Sequence, residues 1–125
     1  MDEVQTGGGP TGKFWAHDYF NLSGPADIVT FSKKMLTGGF YNKPELSPKQ
    51  PYRVFNTWVG DPGKLILLDA VLQTIRKENL LDNVCKTGDI LMKGLKENEK
   101  KYPGLVHSSR GLGTFLAFDA DTPAR

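Results

Sequence analysis

Between Asp61 and Gly104 the sequence admits little other than a pair of helices. Asp61-Pro62 offers a side-chain acceptor followed by proline at the first helical position, the combination that starts a helix. Leu65, Leu68, Leu72 and Ile75 then keep helical spacing, with Lys64, Asp69, Gln73 and Arg76 left for a wetter face. After a break at residues 77–79, Leu81, Val84, Gly88, Leu91 and Leu95 step by threes and fours along one stripe. Tyr102-Pro103-Gly104 stops that second helix. Two apolar stripes need cover, and the flanking segments have to supply it.

Those flanks read as strands and loops. Asp2-Glu3-Val4-Gln5 has the look of the tail of a strand, running at once into Thr6-Gly7-Gly8-Gly9-Pro10-Thr11-Gly12, which can only be a loop. The aromatic stretch 13–20 suits a short helix, ended by Asn21 and the Ser23-Gly24-Pro25 turn. Asp27-Ile28-Val29-Thr30-Phe31 is β-prone and of the length of a buried strand, with Ser32-Lys33-Lys34 just past its end. Gly38-Gly39 gives a flexible turn, and residues 42–52, with Pro44, Pro48 and Pro51, an irregular excursion. Beyond the helices, 105–107 and 114–118 read as two strands around Arg110-Gly111-Leu112-Gly113, the second of them buried. Strands, two helices and strands again, without an internal repeat, imply an α/β fold.

Composition removes several classes of function. The chain is 38% hydrophobic and 24% charged, the balance of an ordinary globular protein, and its net charge of +2 is too small to make nucleic acid or an anionic membrane the main partner. The basic stretch 93–101 is interleaved with Glu97 and Glu99, so it reads as a solvated helix face. Cys85 is the only cysteine, which excludes an internal disulfide or a multi-cysteine metal site. No apolar run reaches the roughly 20 residues that span a bilayer. Nothing at the N-terminus resembles a targeting segment.

Chemistry concentrates at strand ends. Ligands of open α/β sheets gather at the carboxyl ends of strands, and there the sequence puts an acid, Asp2, and a lysine, Lys33. A lysine that holds the aldehyde of pyridoxal phosphate, with a carboxylate that keeps the pyridine nitrogen protonated, needs those two residue types. By spacing alone such a pair is ordinary surface charge. The glycines at 7, 8, 9 and 12 do not make a G-x-G-x-x-G phosphate loop. His17 and His107 stand apart from each other and from other ligand types, so no metal site is assigned. Arg110, between small residues, suits a structural role better than carboxylate binding.

The wording around these residues carries more. Asp2-Glu3-Val4-Gln5-Thr6-Gly7, Thr11-Gly12, Thr30-Phe31-Ser32-Lys33 and Gly38-Gly39, in this order, resemble the cofactor core of the class III, or omega, aminotransferases. Gly7-Gly8-Gly9, Lys13-Phe14-Trp15-Ala16-His17, Phe31-Ser32-Lys33-Lys34-Met35 and Phe55-Asn56-Thr57-Trp58 resemble the animal branch that acts on 4-aminobutyrate. The resemblance covers essentially the whole chain. It implies an internal fragment of a fold-type I pyridoxal 5'-phosphate-dependent transferase: the end of the large cofactor domain in 1–60, a connecting helix pair in 61–103, and the incomplete start of the small C-terminal domain in 104–125.

By the same resemblance Asp2 pairs with the pyridine nitrogen, Gln5 lies at the cofactor ring, and Lys33 holds the aldehyde and serves as general acid/base. Lys33 and Lys34 compete for that role. The family's run from an Asp through Thr and Phe to Lys matches Asp27 to Lys33 without a gap, whereas counting back from Gly38-Gly39 favours Lys34; Lys33 is preferred. Thr57 matches the threonine that reaches the cofactor phosphate of a neighbouring subunit, implying a homodimer in the intact enzyme. The implied reaction passes the amino group of 4-aminobutyrate to 2-oxoglutarate, giving succinate semialdehyde and glutamate, in a mitochondrial matrix. Another omega-aminotransferase, of ornithine or β-alanine type, or a non-catalytic truncated product is the alternative. The phosphate loop, the ring-stacking aromatic and the carboxylate-binding arginines have no counterpart here, so the 125-residue chain alone is expected to be inactive.

Overall fold

The computed structural model describes residues 1–55 and 57–121. Asn56, part of the Phe55–Trp58 wording, and residues 122–125 of the expected C-terminal segment lie outside the described residues.

Three strands form the first sheet in the order β1 (Asp2–Glu3), β2 (Ile28–Phe31) and β3 (Gly39–Asn42). β1 runs parallel to β2, with Asp2 opposite Thr30 and Glu3 opposite Phe31. β3 is antiparallel to β2. The Gly38-Gly39 turn expected from the sequence is thus half strand: Gly39 faces Phe31, and a Cβ there would lie 2.9 Å from the Phe31 ring. Phe31 and Tyr41 stack at 5.1 Å between centroids, and Trp15 meets both edge-on. The aromatic stretch forms a 3-10 turn, Ala16–Tyr19, and a further one, Pro44–Leu46, interrupts the proline-rich excursion.

α1 (Pro62–Lys77) starts at a side-chain cap, whereas α2 (Leu80–Lys101) follows Asn79 without one. The Asp61 carboxylate accepts the Gly63 N–H at 2.8 Å, satisfying one of the amides a helix start leaves open. Asn79, left-handed at φ 51°, breaks the run between the helices.

The last two strands depart from expectation. β4 (Val106–Leu112) and β5 (Phe115–Ala120) are an antiparallel hairpin, and Leu112 opposite Phe115 leaves a two-residue turn of Gly113 and Thr114. Arg110 to Leu112, read as loop, are strand. The left-handed Gly113, φ 56°, supplies the positive φ that such tight turns require. β5 was expected to be buried and is mostly exposed, with Phe118 at 48%, because α2 packs chiefly against β4. β2 likewise is half-buried, with Ile28 at its start exposed.

Met35 is the only buried hydrophobic side chain among the described residues. The exposed face of α1 carries Leu65, Ile66 and Leu67, and the loop before it Phe55 and Trp58. No helix among the described residues is long and apolar enough to cross a membrane.

Candidate active site

The parallel step from β1 to β2 sends two loops off the same end of the sheet, one beginning at Val4 and the other at Ser32. Asp2 Oδ1 accepts the Val4 N–H at 3.0 Å and the Thr30 hydroxyl at 3.1 Å. These two donors, the Val4 amide first, hold the Asp2 carboxyl below its ordinary value. An exposed and firmly ionised carboxylate results.

Lys33 stands three residues beyond Thr30, exposed and left-handed at φ 53°. Leu36, three residues on, shares that left-handed conformation, at φ 58°. The Lys33 ammonium has no hydrogen-bond partner among the described residues. Lys34 is engaged instead: its Nζ donates to the Gln5 carbonyl at 2.5 Å, lying along Gly8 on the way. Burial, then the like charge of Lys33, pushes the Lys34 amine down.

The structure therefore brings Asp2, Gln5 and the lysine pair to one edge. It does not bring Thr57 there: Thr57 sits exposed in the turn before α1 and makes no hydrogen bond to those four among the described residues.

Sequence reasoning missed the most heavily bonded carboxylate nearby. Glu3 is 2% exposed. One of its oxygens accepts the His17 N–H at 2.8 Å and lies 2.7 Å from His17 Nδ1; the other accepts the Ala16 N–H at 3.1 Å and the Thr6 hydroxyl. His17, expected to be isolated, is thus tied to an acid. Burial is the largest single influence on the Glu3 carboxyl and pushes its pKa up, but the donors together, the Thr6 hydroxyl first, outweigh it and leave the pKa below the ordinary value. The available signal was strand alternation, which turns Glu3 to the face opposite Asp2. An acid on an inner face must find donors.

The glycine tract is seated on α2. Gly9 and Gly12 have φ of 100° and 92°, and a Cβ at either would come within 2.5 Å of Leu81 or Cys85. Arg110 takes the structural role: it donates to Asp119 at 2.9 Å across the hairpin and to the Ser108 carbonyl at 2.8 Å. A groove of about 660 Å³, walled by Phe14, Trp15, Val29, Leu68, Leu72 and Leu81, is apolar and contains none of Asp2, Gln5, Lys33 or Thr57. His17 and Arg76 also line this groove, whereas Asp2 and Lys33 lie outside it.

The donor set suits a pyridine aldehyde at two of its ends. An ionised acid is ready for a protonated ring nitrogen, and an unengaged lysine amine is ready for the aldehyde.

Comparison with known proteins identifies the family. Residues 1–125 match the family Aminotransferase class-III. The chain is 53% identical to the mitochondrial 4-aminobutyrate aminotransferase of Mus musculus over 99% of its own length and 25% of that protein's. It is 55% identical to the 4-aminobutyrate aminotransferase of Dictyostelium discoideum over the same shares. Its fold superposes on the lysine aminotransferase of M. tuberculosis with a TM-score of 0.84 at 31% identity, covering 97% of this chain and 29% of that one. The chain spans about a quarter of the length of the curated relatives it matches. Its α/β architecture is that of the fold-type I transferases, of whose cofactor domain it represents a part. The chain belongs to the class-III aminotransferases, a family of pyridoxal-phosphate enzymes that act on amino and oxo acids.

Proposed function

We propose that this chain carries the cofactor-lysine edge of a 4-aminobutyrate:2-oxoglutarate aminotransferase, with Lys33 the catalytic lysine. The observation that supports Lys33 over its neighbour is that Lys34 Nζ is occupied on the Gln5 carbonyl while the Lys33 amine has no hydrogen-bond partner among the described residues. For the substrate, the support is the 53–55% identity to proteins named for 4-aminobutyrate, against 31% to the lysine and 25% to the Plasmodium falciparum ornithine δ-aminotransferase. The relatives' names also favour a mitochondrial setting and, with the family's habit of pairing, a homodimer in which Thr57 faces a second subunit.

Bound pyridoxal phosphate supplies an aldehyde to receive the amino group and a ring that draws electrons from the carbon beside it. Asp2, ionised, would keep a proton on the ring nitrogen, and Gln5 would stand beside the ring. Lys33 would hold the cofactor's aldehyde, and its amine, as a free base, would carry a proton to or from the substrate carbon. The amino group leaves 4-aminobutyrate as succinate semialdehyde forms and reaches 2-oxoglutarate to give glutamate.

The test is to titrate the purified chain with pyridoxal phosphate, reduce with borohydride and locate the label by peptide mass. A label concentrated on Lys33 and abolished in Lys33→Ala is expected. Label on Lys34, scattered label or none overturns the assignment.

A further inference from the structure

We infer that Glu3, clamped by His17, is a positioning residue that fixes the Asp2 carboxylate for the pyridine nitrogen; this rests on the cofactor reading above. The two acids are adjacent on β1 but do opposite things. Asp2 is exposed and accepts two hydrogen bonds, leaving capacity for a ligand. Glu3 is buried and its two oxygens are filled by Thr6, Ala16 and His17. Its acceptor sites face donors on every side, so it has no capacity left for a ligand. Its effect has to be exerted through the backbone.

That path is short. The Glu3 side chain is held from the far end of the loop, fourteen residues on, and its carbonyl accepts the Gly7 N–H at 2.8 Å. With side chain and carbonyl both fixed, the peptide linking Glu3 to Val4 has a fixed direction. The Val4 N–H of that peptide is the donor on which Asp2 Oδ1 rests. Gln5 follows immediately, and its carbonyl takes Lys34. One buried carboxylate thereby sets the aim of the ring-nitrogen acid and the site of attachment of the lysine loop. Stacking of the His17 ring on Trp15, at 6.1 Å and 28° between planes, keeps the imidazole in place.

Glu3→Gln is the discriminating change. It keeps shape but turns one oxygen into an amide NH2, which would confront either the two His17 donors or those of Thr6 and Ala16. The probe is pyridoxal phosphate labelled with nitrogen-15 in the ring, bound to the full chain, with the ring-nitrogen resonance read across pH. Glu99→Gln is the comparison, since Glu99, in α2, also accepts a backbone N–H, that of Ser109 in β4, away from this edge. In the unaltered protein the nitrogen is expected protonated at neutral pH; Asp2→Asn should release that proton. Glu3→Gln should move the resonance at least half way to the Asp2→Asn position, and Glu99→Gln should leave it in place. If Glu3→Gln does not fold, His17→Gln removes only the ring contact and should shift the resonance in the same direction. A resonance unmoved in the folded variant, with the label still on Lys33, overturns the positioning role alone. Failure of the unaltered chain to label at Lys33 overturns the cofactor reading, and the inference with it.

Discussion

Thr30 gives its hydroxyl to Asp2 across the parallel pair β1–β2, 3.1 Å from oxygen to oxygen, three residues before Lys33. This contact joins the two loops that carry the candidate chemistry at the place where they leave the sheet. It also makes the acid's ionisation depend on a side chain of the lysine's strand. Threonine is well suited to the position, since its branched side chain favours the extended backbone while its oxygen remains available.

Thr30→Val keeps the branching and removes the donor. The Asp2 carboxyl should rise toward its ordinary value of 3.8, with the Val4 N–H preventing a full return. Carboxyl-carbon NMR of Asp2 across an acid titration reads this directly, and an unchanged midpoint would show the Thr30 contact to be inert.

Lys34→Met removes the ammonium from the Gln5 carbonyl. A hydrogen bond from a charged group at a partly exposed position contributes about 1 kcal/mol, so affinity for pyridoxal phosphate should fall about fivefold with the label still on Lys33. Fluorescence titration followed by peptide mapping measures both quantities. Loss of the label would transfer the catalytic assignment to Lys34.

Two glycines of α2 should respond with opposite sign. A Cβ at Gly88 would lie 2.2 Å from the Gly113 carbonyl oxygen, so Gly88→Ala forces backbone apart and should cost about 1–3 kcal/mol. Gly94 has nothing within 4 Å of such an atom, and Gly94→Ala should stabilise the helix by roughly 0.5–1 kcal/mol. Urea unfolding of the two variants decides, and equal effects would contradict the packing described here.

Glu99 accepts the Ser109 N–H and pairs with Lys96 at 2.9 Å, which brings its pKa from 4.5 down to about 2. A depressed folded-state pKa stabilises above the unfolded value and ceases to do so as pH falls through the folded one. Stability should therefore decline from pH 4.5 toward about 2, and Glu99→Gln should flatten that decline while lowering stability at neutral pH. Denaturation at a series of pH values measures the slope; an identical acid limb in the variant would remove Glu99 from it.

The helix pair was legible because its signals are local: a capping acid before proline, apolar steps of three and four, and a proline stop. The parallel pairing of Asp2 with Thr30 was half legible, since strand ends can be read but not which strands adjoin. Glu3 and His17 were not connected, because their contact closes a fourteen-residue glycine-rich loop whose return path no periodicity encodes. The hairpin boundary failed for a different reason. Arg110-Gly111-Leu112-Gly113 looks like a loop by composition, yet only Gly113 and Thr114 turn, and the ladder shifts register between His107 and Arg110. Thr57 matches the family's wording, yet among the described residues it makes no hydrogen bond to Asp2, Gln5 or the lysine pair.

Gly88 meets Gly113, and Gly113 in turn leaves only 2.5 Å between the place of a Cβ and the Pro10 carbonyl oxygen. Helix, hairpin turn and glycine tract thus touch main chain to main chain, with no rotamer between them to yield. A spring would absorb a small displacement; this junction behaves as a gear. Tilting the hairpin by an ångström would be delivered to the tract that starts four residues after Asp2, so the turn farthest along the chain is mechanically engaged with its beginning.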